Sequence, residues 1–560
     1  MSEDTRYVYS YGYRSARRIL FGTFTVEDLG EQGVRYHADW SRIWKIGVGA
    51  VLFLYLSLSS LLYFRERYMR GIEGTQWSNM FLYFISSDAK QDHLRSKGDH
   101  YINLAKEALK REDYGEFAKY IGTGAGLSRA NLEGQRLCSD LYFAFGRTED
   151  AYTILEQSLI HAKKDRDHFR SYLRRCFLFD QDRRIIKCAE TYMDDPEVDE
   201  GIQADLRVAF AQANFLRGNF EIASDFLRKR RLDLTLEGYT LLCQISWERG
   251  DRKAAIERLA DAVKSFPSSD NLRAMLARWY KENGDLDAAK DCLSLLVIRD
   301  PNAFSPRVQM LYLLPGDENR EKRNGQIEKI LADFTTNEAA LLELGQYAND
   351  NADAALSARL LKHATDSRFP SRPKFLLTHV ETLASGGKNK EAIAIVDELF
   401  QRNAKDQWFA EMRVTFDALR TIAYYADGQP DIGAINLKKV MDTRNAPPQL
   451  LVAIGRKLVQ ARRFQEANNT LVAAHLRHEN NQALLLQIVK MKVENEEMSD
   501  DLEVYLRRLM DTRRPPQDIL GKAYERIASD RFLFSEGRES LLRDIRESLK
   551  SAKLSTETGS

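Results

Sequence analysis

The sequence predicts an all-α protein, a stack of antiparallel helical hairpins carried behind one membrane-spanning helix. Three observations predict it. Residues Ile46 to Phe64, IGVGAVLFLYLSLSSLLYF, form one run without a charge, and at about 1.5 Å per residue they match the roughly 30 Å hydrocarbon core of a bilayer. From about residue 98 onward, apolar residues recur at helical spacing in stretches of about ten to sixteen residues, separated by short polar turns. Finally, residues 236–269 (LEGYTLLCQISWERGDRKAAIERLADAVKSFPSS) align with 270–303 (DNLRAMLARWYKENGDLDAAKDCLSLLVIRDPNA) without a gap.

The first 45 residues read as an N-terminal tail. Tyr7, Tyr9, Tyr11 and Tyr13 alternate, which in an extended chain would put four rings on one side and suit addition to a partner's sheet edge. The preferred reading is a disordered aromatic tail that can serve as a docking element.

The anchor follows, at 46–64. Trp40 and Trp44 precede it and Tyr63 and Tyr68 stand at its far end, the arrangement of an aromatic belt at the two interfaces. No small-residue cleavage site follows, so a removable signal peptide is not expected. Arg35, Arg42 and Lys45 flank one end and Arg65, Arg67 and Arg70 the other, which leaves the positive-inside rule nearly tied. A short basic tail without an export signal favours a cytoplasmic N-terminus, with the bulk domain in a periplasm or lumen. The reverse orientation stays open. In the juxtamembrane segment 65–97, Trp77 to Ile85 is too short to span and is expected at the interface.

The bulk domain divides by motif into a first sub-array at 98–310, a break at 311–325 marked by Pro315-Gly316, and a second sub-array with a C-terminal cap at 326–548. A disordered end, 549–560, closes the chain. In the aligned pair Gly250 matches Gly284, Asp251 matches Asp285, Ala255 matches Ala289 and Pro267 matches Pro301. Each has a physical task. The glycine takes a left-handed conformation after the first helix, and the aspartate caps the second. The alanine lets the two helices approach, and the proline ends the unit.

These residues resemble the tetratricopeptide repeat family. A third unit at 448–481 carries Gly455, Ala467 and Ala474, with Arg462 where glycine is usual. Looser copies pair Gly146 with Ala151, Gly218 with Ala223 and Gly387 with Ala392; beyond Gly428, Gly433 stands where alanine is expected. The resemblance covers about 130–310 and 370–480, and the remaining helical regions read as degenerate repeats or caps. It implies a right-handed α-solenoid in which the first helix of each pair lines a concave groove. The groove positions so implied are Glu237, Thr240, Gln244 and Trp247, then Asn271, Ala274, Arg278 and Lys281, and later Gln449, Val452 and Arg456. This mixed polar surface with one aromatic anchor suits an extended peptide or a partner helix. A two-carboxylate clamp of the kind some members use on chaperone C-termini is missing, since Thr240, Gln244, Ala274 and Arg278 occupy its places.

Composition excludes several other classes. Lys and Arg number 83 and Asp and Glu 82, so no global field favours nucleic acid. Arg166, Arg170 and Arg174 form a basic stripe at i, i+4 and i+8, which reads as a solvated helix face or a contact for an acidic protein. Five cysteines without a CxxC pair argue against a disulfide framework or a zinc module; Cys176 and Cys188 could meet across a hairpin. Gly122-Thr123-Gly124-Ala125-Gly126 lacks the Lys-Ser/Thr end of a phosphate loop and reads as an inter-helix loop. His475 and His478 read as a surface pair near a turn.

The function expected is a membrane-anchored scaffold that binds proteins in its groove and organises a complex in envelope biogenesis or secretion. The alternative is an accessory or regulatory subunit of a membrane enzyme acting in polysaccharide synthesis or export, or in proteolysis. No enzyme, cofactor, metal or nucleic-acid partner is expected, and oligomerisation is left open.

Overall fold

The computed structural model describes residues 16–28, 33–403, 405–443, 446–478 and 481–553. They contain 28 α-helices and three short strands. The chain separates into two compact units, Met1–Tyr172 and Leu173–Ser560. The all-α expectation holds for the bulk of the protein, and the tail adds a small sheet that was not anticipated.

That sheet is an antiparallel meander of β1 (Ala16–Ile19), β2 (Phe24–Asp28) and β3 (Val34–Ala38). Ile19 pairs with Phe24, and Phe24 with Ala38. Leu20, Phe21 and Gly22 all take positive φ at the first turn. The strands are rich in Phe, Thr, Val and Tyr, which favour extended chain, but each is too short to show a period against its charged neighbours. The alternating Tyr7, Tyr9, Tyr11 and Tyr13 lie outside the described residues.

The apolar helix runs Trp40–Phe64, longer than its uncharged stretch, because Asp39 caps it by accepting from the Arg42 N–H at 3.1 Å. It continues through a π-helical turn, Arg65–Met69. Thirty residues, Trp40–Met69, are long and apolar enough to cross a membrane, with a mean hydropathy of 1.9 in the most apolar stretch. At the turn, the Glu66 carboxylate is buried between Arg70 at 2.5 Å and Lys97 at 3.3 Å.

The chain then folds back. The helix Trp77–Leu82 lies along the second half of the apolar helix. The Trp77 indole N–H donates to Ser60 Oγ at 3.2 Å, and the Tyr55 hydroxyl donates to the Phe81 carbonyl. Trp77 stacks on Phe81 at 5.5 Å, and Phe81 meets the Tyr55 ring edge-on at 5.4 Å. Polar atoms on an otherwise apolar contact are thereby satisfied within the protein.

Hairpins of the first unit follow, beginning with Ser87–Lys110 against Tyr114–Leu127. The Gly122–Gly126 run is inside the second of these helices, which corrects the loop reading. A Cβ on Gly124 would stand 2.9 Å from the Ile102 nitrogen and 3.0 Å from the Gly98 carbonyl. Glycine there allows backbone-to-backbone contact between the helices, which overrides its poor helix propensity. Leu132–Ala144 pairs next with Thr148–Leu159.

In the second unit hairpin follows hairpin, from Glu200–Leu216 with Phe220–Lys229 to Gln517–Ala528 with Arg538–Lys553. That last helix extends beyond residue 548. Asp251 and Asp285 cap their helices through the N–H groups of Ala254 and Ala288. Ala255, Ala262, Ala289, Ala467 and Ala474 are fully buried where paired helices touch, so enlarging any of them would cost about 1–3 kcal/mol. Gly433, the departure from the alanine pattern, makes room for a ring: its Cβ would stand 2.9 Å from Tyr425.

The turn between paired helices is left-handed in most hairpins; among the described residues the turn from Glu494 to Leu502 departs, with a 3-10 turn, Glu496–Met498, in its place. Gly146, Gly218, Gly250, Gly284, Gly387 and Gly428 have positive φ, and so do Glu112, Asp180, Ala352 and Arg462. Glu112, Gly146 and Asp180 are spaced 34 residues apart (146 − 112 and 180 − 146). The repeat is thus present in the backbone where the sequence motif has decayed.

Candidate functional site

Each first helix of a hairpin buries one face against its partner helix and leaves a second face open, and in the second unit these open faces line successive troughs. One, of about 410 Å³, brings Glu237, Thr240 and Gln244 together with Gln212, Asn271 and Met275. Asn271 and Met275 also line the next trough, of about 470 Å³, beside Ala274, Arg278, Lys281 and Tyr312. The two therefore adjoin, with Asn271 and Met275 in the wall they share. A third trough, of about 620 Å³, is lined by Gln346, Asn349, Glu381, Ser385, Tyr425 and Arg456.

The walls are partly fixed in place. Thr240 Oγ1 donates to the Leu236 carbonyl at 2.6 Å, which fixes its rotamer and leaves the hydroxyl oxygen free to accept. The Tyr312 hydroxyl donates to Asp350 Oδ2 at 2.8 Å, and the Lys281 ammonium stands 4.7 Å from the Tyr312 ring centre. Burial and the Asp350 carboxylate push the Tyr312 hydroxyl far above its ordinary value, so it remains a neutral donor. Burial pushes the Glu381 carboxyl up. Side-chain amides, which both donate and accept, recur at Gln212, Gln244, Asn271, Gln346 and Asn349. That chemistry pairs with the N–H and C=O of an extended chain.

Three expected groove residues are placed elsewhere. Trp247 stacks on the buried Trp279 with ring centres 4.5 Å apart and planes at 8°, and the Arg252 guanidinium covers it at 5.0 Å. It is a packing residue, held by a second tryptophan one repeat on. Val452 is buried in the core. Gln449 is exposed but lines none of the three troughs. Conversely, Gln212, Met275, Tyr312, Gln346, Asn349 and Glu381 line troughs without having been expected. Tyr312 and Gln346 come from hairpins with decayed motifs, where the only available signal is the spacing carried over from intact units.

Outside the groove, Arg166, Arg170 and Arg174 are exposed positions of the helix Arg166–Leu178. Trp40, Trp44 and Tyr68 are exposed and Tyr63 half-buried. His475 is not a surface residue: it is 1% exposed, 3.0 Å from Arg508 through Nε2 and edge-on to Tyr505. The helix Phe464–Arg477 turns it inward, which removes the surface-pair reading. Among the described residues no cluster of His, Cys, Asp and Glu could hold a metal. Burial pushes the Cys138 thiol up to about 11 and Cys243 up to about 12, so neither is a thiolate at neutral pH.

Comparison with curated protein sequences finds no match. Among solved structures, the Naa15/Naa10 complex bound to HypK is 14% identical, covering 82% of this chain and 80% of that one, with a TM-score of 0.26. Yeast Tom70 is 12% identical over 84% of this chain and all of its own, with a TM-score of 0.31. A tetratricopeptide repeat protein from Parabacteroides merdae is 13% identical over 58% and 98%, with a TM-score of 0.28. These scores are too low for any of the three to stand for the arrangement of this chain. The family that matches by sequence is the tetratricopeptide repeat, over residues 246–313, which takes in most of the first and all of the second of the two best-aligned units, with Trp247, Asn271, Ala274, Arg278 and Lys281 among the groove positions named above.

Proposed function

We propose that the protein is a membrane-anchored scaffold whose concave face binds an extended segment of a partner protein, in the service of a complex for envelope biogenesis or secretion. The observation that carries this reading is that successive troughs adjoin at Asn271 and Met275. One segment can lie across successive first helices and meet amide, hydroxyl and apolar groups in turn. The apolar helix Trp40–Met69 supports the anchoring, with a cytoplasmic tail and the hairpins in the periplasm or lumen as the orientation favoured. Acting as an accessory subunit of a membrane enzyme is the second reading; the amides and the raised Glu381 carboxyl favour it only for a polar chain such as a glycan.

A photo-reactive residue at Gln244 or at Arg456 tests the groove against the same residue at Glu257, an exposed position on a second helix. The reading expects discrete protein adducts from the two groove sites and none from Glu257. Equal adducts from all three, or none, would sink it. Protease digestion of a C-terminal tag, before and after opening the outer barrier, reads the orientation.

A further inference from the structure

Within the second unit, residues 331 positions apart in sequence form a tight contact. The helices Leu502–Thr512 and Gln517–Ala528 are joined by a short extended strap, Arg513 to Pro516. Pro515 and Pro516 have no N–H and hold the strap extended. Arg513 reaches from it to the turn before the helix Asp182–Tyr192. Its Nε and Nη2 donate to the two oxygens of Asp182 at 2.8 and 2.9 Å, and its Nη1 meets Asp180 at 2.5 Å. The Asp182 side chain is fully buried, and that of Arg513 is 17% exposed.

Flanking groups extend the contact to the next hairpin. Arg217 donates to the carbonyls of Asp511 and Thr512 at 2.9 and 2.7 Å, and the Arg514 N–H donates to the Leu216 carbonyl at 3.3 Å. Arg183 pairs with Asp511 at 2.9 Å. Gly218 lets the strap approach, since its Cβ would stand 3.0 Å from that of Arg514. The contact is built from charge and hydrogen bonds, with Phe220 beneath the Arg514 guanidinium at 4.9 Å as the apolar component that this geometry provides. An interface of this polar kind can part without opening a hydrophobic core. The left-handed turn at Asp180 serves both ends of it: the conformation that reverses the hairpin also points the carboxylate at the strap.

We infer that the Arg513 strap is a reversible clasp, which closes the second unit by joining its first hairpins to its last and opens as a unit while the individual hairpins stay folded. This goes beyond the scaffold reading and depends on no partner. Hydrogen exchange read by mass spectrometry on the detergent-solubilised full chain tests it, comparing the native protein with Arg513→Ala, Arg513→Lys and Arg217→Ala. Peptides covering 177–184, 213–220 and 509–516 are expected to exchange at least tenfold faster, and together, in Arg513→Ala. Arg513→Lys and Arg217→Ala should be intermediate, since each keeps part of the hydrogen bonding, and peptides within 252–299 and 448–477 should be unchanged. Faster exchange at 509–516 alone, or at none of the three, would overturn the clasp. So would acceleration of every hairpin with them, in the milder variants as well as in Arg513→Ala, because the contact would then belong to the cooperative fold.

Discussion

His168 shows how a single buried group sets a pH limit on the first unit. Its imidazole is fully buried, and the Ser158 hydroxyl, which donates to the Leu155 carbonyl at 2.7 Å, is left to accept from His168 Nε2 at 2.7 Å. Burial first, and Arg136 second, lower the histidine from 6.5 to about 4, with Asp165 opposing. The native state therefore holds the neutral ring, and the unfolded chain takes up a proton below its ordinary value. Stability from this group is complete above about pH 6.5 and is lost as the pH falls towards 4, by about 2 kcal/mol at pH 5 and about 3 kcal/mol in full. The opening free energy of Thr148–Leu159, measured by hydrogen exchange, should fall by that amount between pH 7 and pH 5. In His168→Gln the slope should flatten.

At the scale of the element, the hairpin 236–265 separates packing from recognition on one helix. Trp247 and Thr240 lie two turns apart, yet only Thr240 faces the trough. Trp247→Ala removes a stacked pair and opens a cavity beside Trp279, and should cost about 3 kcal/mol. Thr240→Ala should change stability by less than about 0.5 kcal/mol. Local exchange of 236–282 reads both. If the groove binds as proposed, the order reverses for partner adducts at Gln244: Thr240→Ala lowers their yield, and Trp247→Ala at a temperature where it is folded does not. Equal stability losses would return Trp247 to the groove and remove the assignment made from its geometry.

Across the whole molecule, the legible part of the fold was what short-range chemistry writes into the chain. The Gly-Asp-Ala spacing of 236–303 marks a turn, a cap and a helix contact within about a dozen residues, and each is found in place. Where the left-handed turn is taken by Glu112, Asp180 or Ala352, the backbone repeats but the letters do not, since a few tenths to about 2 kcal/mol of local strain is tolerated when packing over-determines the turn. Glu237, Thr240 and Asn271, which line troughs, carried the motif's spacing for the same reason; Tyr312 and Glu381, which also line troughs, carried none. Gly124 was misread because a glycine that serves contact between helices looks, in sequence, like one that serves a loop. Asp182 and Arg513 carry no local signal at all: each is an ordinary charged residue near a helix end until the last hairpins come round to meet the first.

If the apolar helix anchors the chain in a membrane as proposed, the fold-back of Trp77–Ile85 bears on how thick a membrane it can serve. Ile85 shares an apolar trough with Val51 and Leu52, and Lys97 is level with Glu66. The charged start of the intervening helix, Asp88 and Lys90, is then level with the stretch Leu52–Leu58 and cannot enter hydrocarbon. From Lys45 to Leu52, short of those charges, the apolar helix offers about 10 Å, against the roughly 30 Å of a typical bilayer. Docking of this segment and a full span are thus in competition, and membrane thickness decides between them. A photo-reactive residue at Phe81 should mark the anchor in detergent and in short-chain lipid, and should mark acyl chains or solvent in thick bilayers; the same products at every thickness would show no such competition. The helix would then act as a gauge as well as a tether, holding the first unit close against a thin membrane and releasing it from a thick one.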